Sequence, residues 1–312
     1  MKLEILLYPR KAEGDNYVAV RFPDAQKIGN VRYMSISGID LSEYDYNYSA
    51  DGEIFTDNRA GRVVGRDVWG QRQWKSADNC KNTRKQAQKL DFNKPKNIED
   101  LRGSFACGDF DWKNDKKPET TFEDTVIYRM HTKHESSGVK NKGTFKGIIE
   151  KIPYLKSLGV TYVELMPAYE FDEVLKLDYP AYFADKDGTE EIPVNYWGYA
   201  DAYYFAPKQA YASGDAVTEF KELVAALHKQ GIELGMEFYF VPGTSKYFVA
   251  DCLRYWLLNY HVDGFHLMGT KIPLTLLATE PLFGNTKLIY YDFPYDEIYR
   301  PGEVPGYRNL AS

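Results

Sequence analysis

Residues 1 to about 120 show short apolar runs separated by turn-forming residues, without helical periodicity. Tyr17–Phe22 and Asn30–Ile36 are typical of strands bounded by Gly, Pro, Asp and Asn. Asp51-Gly52, at the end of a Tyr-rich stretch, predicts a hairpin turn. Lys75–Asp100 is polar and charged and predicts an exposed loop. This part of the chain is therefore predicted to be an all-β N-terminal domain.

From Thr125 onward, apolar runs alternate with segments of helical periodicity. The predicted strands are Val126–Met130, Thr161–Leu165, Ile232–Phe240, Gly264–Met268 and Lys287–Tyr291. Two helices are predicted to begin at the caps Thr144 and Asp215, and two more to span Phe248–Tyr260 and Leu274–Thr279. Such alternation favours parallel βα units and the α/β class.

Single residues set the expected limits of these helices. Gly159 and Gly231 should end the first two, since glycine readily adopts the left-handed conformation found there. Pro153 is expected to kink the first helix or to restart it. Residues 166–214 follow neither period, so we predict a long irregular segment.

Composition excludes several classes of partner. The 312 residues carry a net charge of −6 and a pI of about 5.5, which gives no indication of a basic surface for nucleic acid. No segment approaches the ~20 apolar residues of a membrane span, and the N-terminal apolar run is too short for a signal peptide, which predicts a cytoplasmic protein. Cys80, Cys107 and Cys252 are sparse and unpatterned, which indicates neither a disulfide framework nor a zinc site.

Five stretches resemble glycoside hydrolase family 13, the α-amylase superfamily, in its pullulanase, isoamylase and glycogen-debranching group. They are Asp109–Trp112 with Phe122–Tyr128 and His131; Gly143–Gly159 with Val163–Pro167; Asn195–Tyr199 with Tyr204–Pro207; Glu219–His228 with Gly231–Glu233; and Val262–Met268. The stretch from Gly38–Asp40 through Asp67–Gly70 more weakly resembles carbohydrate-binding module family 48.

The resemblance implies the architecture. Residues 1–118 are expected to form a β-sandwich accessory domain, and residues 119–312 a TIM-type (β/α) barrel. A full barrel takes ~250 residues, whereas only about five βα units are visible in this sequence. We therefore expect an incomplete barrel. The chain is then either the N-terminal part of a longer product, which is the favoured interpretation, or a chain that needs a partner to close the barrel.

The family's catalytic positions are altered in this sequence. Relatives cleave α-glucosidic bonds with one carboxylate as nucleophile and another as acid/base. Alignment to the family motifs places Met268 at the nucleophile and Tyr291 at the acid/base. The remaining altered motif positions are His266 for Arg, Val241 for Asn and Pro242 for His. A thioether and a phenol cannot replace the two carboxylates, so we predict that no catalytic set is intact.

Two nearby acids are possible substitutes. Asp292 follows the acid/base position by one residue, although strand alternation would turn it to the opposite face. Glu237 keeps a carboxylate at the third strand, where in the family it supports the site. Asp263 begins the fourth strand and is expected at the opposite end of the barrel.

Aromatic residues are the candidates for sugar contact. Tyr196, Trp197 and Tyr199 match the family's sugar-stacking motif, and Tyr290 could line the altered pocket. Packing is the alternative role for each of them. His131 is expected to make a structural hydrogen bond, and His228 to lie on the surface of its helix.

These features together favour an α-glucan-interacting relative of the debranching enzymes without hydrolytic activity. The expected partner is glycogen, starch or maltooligosaccharide, with no cofactor and no metal. Two alternatives stay open. One is an active debranching hydrolase of the pullulanase or isoamylase type that uses displaced carboxylates. The other is a protein-interaction scaffold.

Overall fold

The computed structural model describes residues 2–11, 16–70, 101–105, 109–135, 138–173, 194–269, 271–294 and 310–311. Its contacts divide the chain into two compact units. One comprises Met1–Gly108 and Glu173–Val194, and the other Asp109–Asp172 and Asn195–Ser312. The domain boundary at 118/119 stays a prediction, and the loop predicted at Lys75–Asp100 lies outside the described residues.

The first unit contains a six-stranded antiparallel sheet and a separate two-stranded hairpin. The strands are β1 (Leu3–Pro9), β2 (Val18–Arg21), β3 (Lys27–Ile28), β4 (Val31–Arg32), β5 (Tyr44–Ala50), β6 (Glu53–Phe55), β7 (Val63–Val64) and β8 (Arg102–Ser104). A short 3₁₀ helix, Leu41–Glu43, precedes β5. The sheet order is β2-β1-β5-β8-β7 with β6 paired to β5, and β3 pairs with β4. A second sandwich layer stays a prediction.

The core of this unit lies on one face of β1 and β5. Ile5, Leu7, Phe22 and Tyr46 form its buried cluster, because alternate residues of a strand point to the same face. The predicted turn at Asp51-Gly52 is confirmed, since both residues have positive φ, 50° and 91°, between β5 and β6. The predicted strand at Asn30–Ile36 shortens to the two residues of β4.

The second unit alternates strands and helices around a parallel sheet. Its strands are β9 (Ile127–Met130), β10 (Tyr162–Leu165), β11 (Tyr169–Phe171), β12 (Ala202–Pro207), β13 (Glu233–Phe240), β14 (Gly264–Gly269), β15 (Lys287–Ile289) and β16 (Leu310–Ala311). Its α-helices are α1 (Thr132–Glu135), α2 (Phe145–Ser157), α3 (Ala216–His228), α4 (Lys246–Tyr260) and α5 (Leu274–Thr279). Two 3₁₀ helices span Gln209–Tyr211 and Pro281–Phe283.

Six of these strands form one sheet in the order β16-β15-β14-β13-β10-β9, and each neighbouring pair is parallel. The predicted βα alternation is therefore confirmed. Strand β16 was not predicted, because its two described residues are too few to form a pattern. None of the described helices is both long and apolar enough to span a bilayer.

The predicted helix caps are confirmed. Thr144 Oγ1 accepts from the Gly147 amide at 3.2 Å, and Asp215 Oδ2 accepts from the Thr218 amide at 3.1 Å. Each satisfies a backbone N–H that the first turn of a helix leaves unpaired. The prediction for Pro153 is corrected in one respect: α2 runs through Pro153 to Ser157 and does not restart there.

The segment 166–214 is not wholly irregular, which corrects a second prediction. It contains an antiparallel hairpin of β11 and β12. Lys208 directly follows β12 and is fully buried, and its Nζ donates to two groups of β11, Glu170 Oε1 at 3.1 Å and the Phe171 carbonyl at 2.8 Å. A buried ion pair of distant residues has no periodic signature, so the pattern of the sequence did not reveal it.

One face of the parallel sheet carries large and charged side chains that alternate with glycines. The Tyr162 hydroxyl lies over Gly235 and Gly264, where an added Cβ would come within 1.6 Å and 2.3 Å of it. In the same layer, Lys287 Nζ donates to Glu233 Oε2 and, at 2.6 Å, to the Thr120 carbonyl. This layer supports the groups nearer the carboxyl ends of the strands.

Candidate functional site

Four charged side chains meet towards the carboxyl ends of β9, β10, β13 and β14. Strand register brings them together: Arg129 lies opposite Glu164, and Glu237 lies opposite His266. Glu164 and Glu237 are buried, at 4% and 0% relative exposure. Active sites of open α/β sheets and barrels form at this edge of the strands. We call Arg129, Glu164, Glu237 and His266 the charged cluster.

Arg129 connects the two carboxylates of the cluster. Its Nε donates to Glu237 Oε1 in an ion pair and lies 3.6 Å from Glu164 Oε1. The hydrogen bond to Glu237 raises the pKa of the Arg129 guanidinium above its usual range, against the opposing effect of burial. Arg129 therefore stays protonated, and its charge is shared between both glutamates.

Tyr199 closes a triangle with this pair. Its hydroxyl accepts from Arg129 Nη2 at 2.8 Å and donates to Glu237 Oε2 at 2.8 Å. Burial, and then the hydrogen bond to Glu237, raise the pKa of the Tyr199 phenol, so it remains a neutral donor. Both oxygens of Glu237 are thus engaged by donors.

A short polar turn positions Tyr199. Asn195 Oδ1 accepts from the Gly198 amide at 3.1 Å, and Gly198 has a φ of 75°. A Cβ at Gly198 would meet Phe171 and Pro167 within 2.8 Å, so only glycine fits there. The Asn195–Tyr199 motif thus forms a turn that brings Tyr199 to the charged cluster.

His266 completes the cluster on the other side. Its Nδ1 lies 3.1 Å from Glu164 Oε1, and this hydrogen bond raises the pKa of the imidazole, with burial acting in the opposite direction. The residue at the position of the family's arginine is thus again paired with a neighbouring carboxylate. A guanidinium and a histidine together contact the two buried carboxylates.

His131 and Tyr196 form a separate contact on the wall of the site. His131 Nε2 lies 2.9 Å from the Tyr196 carbonyl and 3.2 Å from the Tyr211 hydroxyl. Burial lowers the pKa of His131 to about 4, so the imidazole is neutral. The hydrogen bond predicted for His131 is therefore present. The Tyr196 ring packs on His131 and His134, with centroids 4.6 Å and 5.0 Å apart.

The other aromatic candidates differ in their surroundings. Trp197 is 59% exposed, so its ring is available to a ligand. The Tyr290 hydroxyl donates to the Gly269 carbonyl at 3.3 Å, beside the end of β14. Tyr291, at the family's acid/base position, is 82% exposed.

Not all of the altered family motif positions lie in the charged cluster. His266 belongs to the charged cluster, while Met268 lies two residues further along β14 and is half-buried. Val241 and Pro242 follow the end of β13, and Pro242 is exposed. Asp292, proposed as a substitute acid, is exposed beyond β15, whereas Glu237 is fully buried.

Two members of the cluster were not predicted from the sequence. Arg129 and Glu164 each lie within an otherwise apolar strand, Ile127–Met130 and Tyr162–Leu165. Strand β10 is buried throughout, and a charged residue at the centre of a buried strand needs a partner. The charge of Glu164 was therefore a signal in the sequence, but it did not identify the partner.

The prediction that His228 lies on the surface is wrong. Its side chain is 1% exposed, and its ring nitrogens lie 2.9 Å from Asp115 Oδ1 and 2.8 Å from Asp263 Oδ2. Asp263 precedes β14 and is fully buried, so this network lies at the opposite end of the strand from Met268. It holds the segment around Asp115 to the sheet and is separate from the charged cluster.

Comparison with known proteins gives the family of the chain. Residues 119–247 match the family model described as the alpha amylase catalytic domain. Isoamylase 1, chloroplastic, of Arabidopsis thaliana is 30% identical over an alignment that covers 91% of this chain and 46% of the relative. The glycogen operon protein GlgX homolog of Haemophilus influenzae is 28% identical, over 64% of this chain and 38% of the relative.

Solved structures share the fold. A pullulanase from Paenibacillus barengoltzii, in complex with maltohexaose and α-cyclodextrin, aligns with a TM-score of 0.64 at 18% identity, over 93% of this chain and 49% of that one. The catalytic module of the pneumococcal glycogen-degrading virulence factor SpuA aligns with a TM-score of 0.62 at 21% identity, over 93% of this chain and 47% of that one.

The alternating parallel sheet and the motif matches define an α/β protein of the kind found in pullulanase-type enzymes. The chain belongs to the α-amylase superfamily, glycoside hydrolase family 13, and is similar to its pullulanase, isoamylase and glycogen-debranching members. It spans between about a third and a half of the length of the curated relatives it matches.

Proposed function

We propose that this protein binds α-glucan chains and does not hydrolyse them. The observation that carries the proposal is the chemistry at the two catalytic positions of the family, which are Met268 and Tyr291 here. A retaining glycosidase needs a carboxylate to form the glycosyl intermediate and a second acid to protonate the leaving oxygen. A thioether and an exposed phenol supply neither function.

The buried carboxylates are poor replacements for the lost pair. Glu237 accepts hydrogen bonds on both oxygens, from Arg129 and Tyr199, and is 0% exposed. Glu164 is held between Arg129 and His266. An oxygen that is hydrogen-bonded to a cation is a weaker nucleophile, because attack would have to break that ion pair in a buried site. The charge-balanced cluster therefore supports a structural role at the base of the site.

Retention of glucan binding rests on the aromatic motif and on the relatives. The similar pullulanase from Paenibacillus barengoltzii was solved in complex with maltohexaose and α-cyclodextrin. In this chain Trp197 offers an exposed ring beside Tyr196 and Tyr199. A flat aromatic face of this kind can stack on the apolar face of a glucose unit. We propose Trp197 as the principal contact and Tyr196 as its support.

Calorimetric titration with maltoheptaose tests the binding, and electrophoresis through glycogen-containing gels gives an independent readout. We expect Trp197→Ala to weaken binding by up to about tenfold, since an aromatic contact contributes ~0.5–1.5 kcal/mol. Tyr247→Ala is the matched control, because Tyr247 is 65% exposed on α4 and outside the motif. Equal affinity of the two variants would rule out Trp197 as the contact.

Hydrolysis is measured on the same preparations as new reducing ends from pullulan and glycogen. Glucan binding without reducing ends supports the proposal. Absence of any binding by the wild-type chain would overturn it and favour the protein-interaction scaffold.

One distance favours the second candidate, an active hydrolase with displaced carboxylates. One oxygen each of Glu164 and Glu237, and a ring nitrogen of His266, all lie within 4.8 Å of one another. Retaining enzymes hold their two carboxyl groups ~5–5.5 Å apart. The geometry thus favours Glu164 over Asp292 as the partner of Glu237. Reducing-end release that follows a bell-shaped pH profile, and that disappears in Glu164→Gln, would establish this candidate.

A further inference from the structure

The Asn195–Tyr199 turn, which carries Trp197, is held to the protein on both sides of that residue. The Tyr196 carbonyl lies 2.9 Å from His131 Nε2, and the Tyr199 hydroxyl is hydrogen-bonded within the charged cluster. Trp197 lies between these two anchors and is 59% exposed. We propose that His131 and, through Tyr199, the charged cluster act as positioning residues that hold the Trp197 ring in place for an α-glucan chain. This role rests on the glucan binding proposed above.

The anchor at Tyr199 joins the turn to two strands of the parallel sheet. Its hydroxyl accepts from Arg129 Nη2 of β9 and donates to Glu237 Oε2 of β13, each at 2.8 Å. One partner of each hydrogen bond is charged, and such bonds are about twice as strong as bonds between neutral groups. Strands β9 and β13 belong to one sheet, and Glu237 is fully buried. The end of the turn is therefore fixed to the sheet itself.

His131 fixes the other side of the turn through a neutral ring. Its Nδ1 accepts from the Lys133 amide at 3.1 Å, so the proton of the neutral imidazole is on Nε2 and is donated to the Tyr196 carbonyl. Because burial lowers the pKa of His131 to about 4, this tautomer persists at neutral pH. The Tyr196 ring also packs on the His131 ring. Neither contact involves the charged cluster, so the two anchors are separate.

Backbone packing restricts the turn between its anchors. Asn195 Oδ1 accepts from the Gly198 amide at 3.1 Å. A Cβ at Gly198 would lie within 2.8 Å of Phe171 and Pro167, so the backbone lies directly against these side chains. The Trp197 ring is exposed while the backbone on both sides of it is held. A ring that is ordered before the ligand arrives loses less conformational entropy on binding, which raises the affinity. The charged cluster thus contributes to affinity through Trp197.

Calorimetric titration of the whole chain with maltoheptaose tests this role in Tyr199→Phe, which removes only the anchoring hydroxyl. We expect the affinity to fall at least about threefold, because the turn must then be ordered when the glucan binds. The matched control is Tyr46→Phe in the first unit. It removes a hydroxyl that donates to Asp57 Oδ2, also at 2.8 Å. This control should bind maltoheptaose as the unmodified chain does.

A double-mutant cycle shows whether Tyr199 acts through Trp197. In a chain that already carries Trp197→Ala, the further change Tyr199→Phe should alter the affinity by less than about twofold, because no ring is left to be positioned. An equal loss from Tyr199→Phe with and without Trp197 would overturn the inference, since the hydroxyl would then act independently of that ring.

Fluorine NMR of the chain labelled with fluorotryptophan reports on the anchoring before any glucan is added. The Trp197 resonance is assigned as the one lost in Trp197→Phe. We expect Tyr199→Phe to shift and narrow this resonance, because the ring moves more freely, and Tyr46→Phe to leave it unchanged. An unchanged Trp197 resonance or an unchanged affinity in Tyr199→Phe would overturn the inference and leave glucan binding intact. Absence of glucan binding by the unmodified chain would instead overturn the proposed function, and this role with it.

Discussion

At the scale of single residues, His228 couples stability to pH. Burial disfavours its charged form, but the hydrogen bond to Asp263 and the charges of Asp263 and Asp115 outweigh burial and raise the pKa of the imidazole. A group whose pKa is higher in the folded state contributes stability that is fully present below the unfolded pKa of ~6.5. That stability is lost as pH rises through the folded pKa.

We therefore expect His228→Gln to destabilise the fold by about 1–3 kcal/mol near pH 6, because Asp115 and Asp263 lose the imidazole that joins them. Both carboxylates keep one basic neighbour, His261 for Asp115 and Lys117 for Asp263. The cost should shrink as pH rises, since the wild-type imidazole then loses its proton. Urea unfolding of both proteins between pH 6 and 9 measures this difference. His134→Gln, at an exposed histidine, is the control. A cost for His228→Gln that stays constant over this range would contradict the expectation.

The buried pair of Lys287 and Glu233 gives a second prediction at this scale. Both side chains are 1% exposed, and burial raises the pKa of Glu233 although Lys287 acts in the opposite direction. Lys287→Met should cost about 3–5 kcal/mol of unfolding free energy, because it strands a buried carboxylate. The double variant Lys287→Met with Glu233→Gln should recover most of that loss. Urea unfolding of the two single variants and the double variant tests this coupling. If the cost of the double variant equals the sum of the two single costs, the two residues are not coupled.

At the scale of secondary structure, the packing of β10 against β13 requires a glycine at position 235. A Cβ at Gly235 would lie 1.6 Å from the hydroxyl of the fully buried Tyr162. Gly235→Ala should therefore destabilise the fold by at least about 1–3 kcal/mol, the usual cost of overpacking. Gly214→Ala is the control, since its Cβ would make an ordinary contact at 3.4 Å and should cost under about 0.5 kcal/mol. Thermal unfolding of the two variants distinguishes them, and similar melting temperatures would argue against the clash.

Elements with local signals could be predicted from the sequence, and elements with distant partners could not. Thr144 and Asp215 were identified as caps because the group each one satisfies lies three residues away. The hairpin of β11 and β12 was missed because its strands are far apart in sequence and its support is the buried pair of Lys208 and Glu170. Hydrophobic periodicity and capping residues each describe a single segment of the chain. They therefore do not show which two distant segments pair with each other.

The same reasoning applies to the candidate site. The family motifs led to Glu237, His266 and Tyr199, which the structure brings together. Arg129 and Glu164 were not identified, because the cluster is created by the register of four parallel strands. A single charge in an apolar strand signals that a partner exists, but only the fold shows which residue it is.

At the scale of the whole molecule, the chain contains two compact units whose cores can be perturbed separately. Leu7 belongs to the buried cluster of the first unit, and Leu165 is fully buried in β10 of the second. Either residue changed to alanine should lose about 2–5 kcal/mol through the cavity it leaves. If the two units unfold separately, calorimetry should show two unfolding transitions. Each variant should then lower the midpoint temperature of a different one. One common transition shifted equally by both variants would show that the units unfold together.

The position of Tyr162 over two glycines also limits how this sheet can change during evolution. Its hydroxyl fills the space that side chains at Gly235 and Gly264 would need. A lineage that acquired alanine at either glycine would first have to replace the tyrosine, and a smaller residue alone would leave a void. The residues at positions 162, 235 and 264 are therefore expected to change together, although they lie on three different strands.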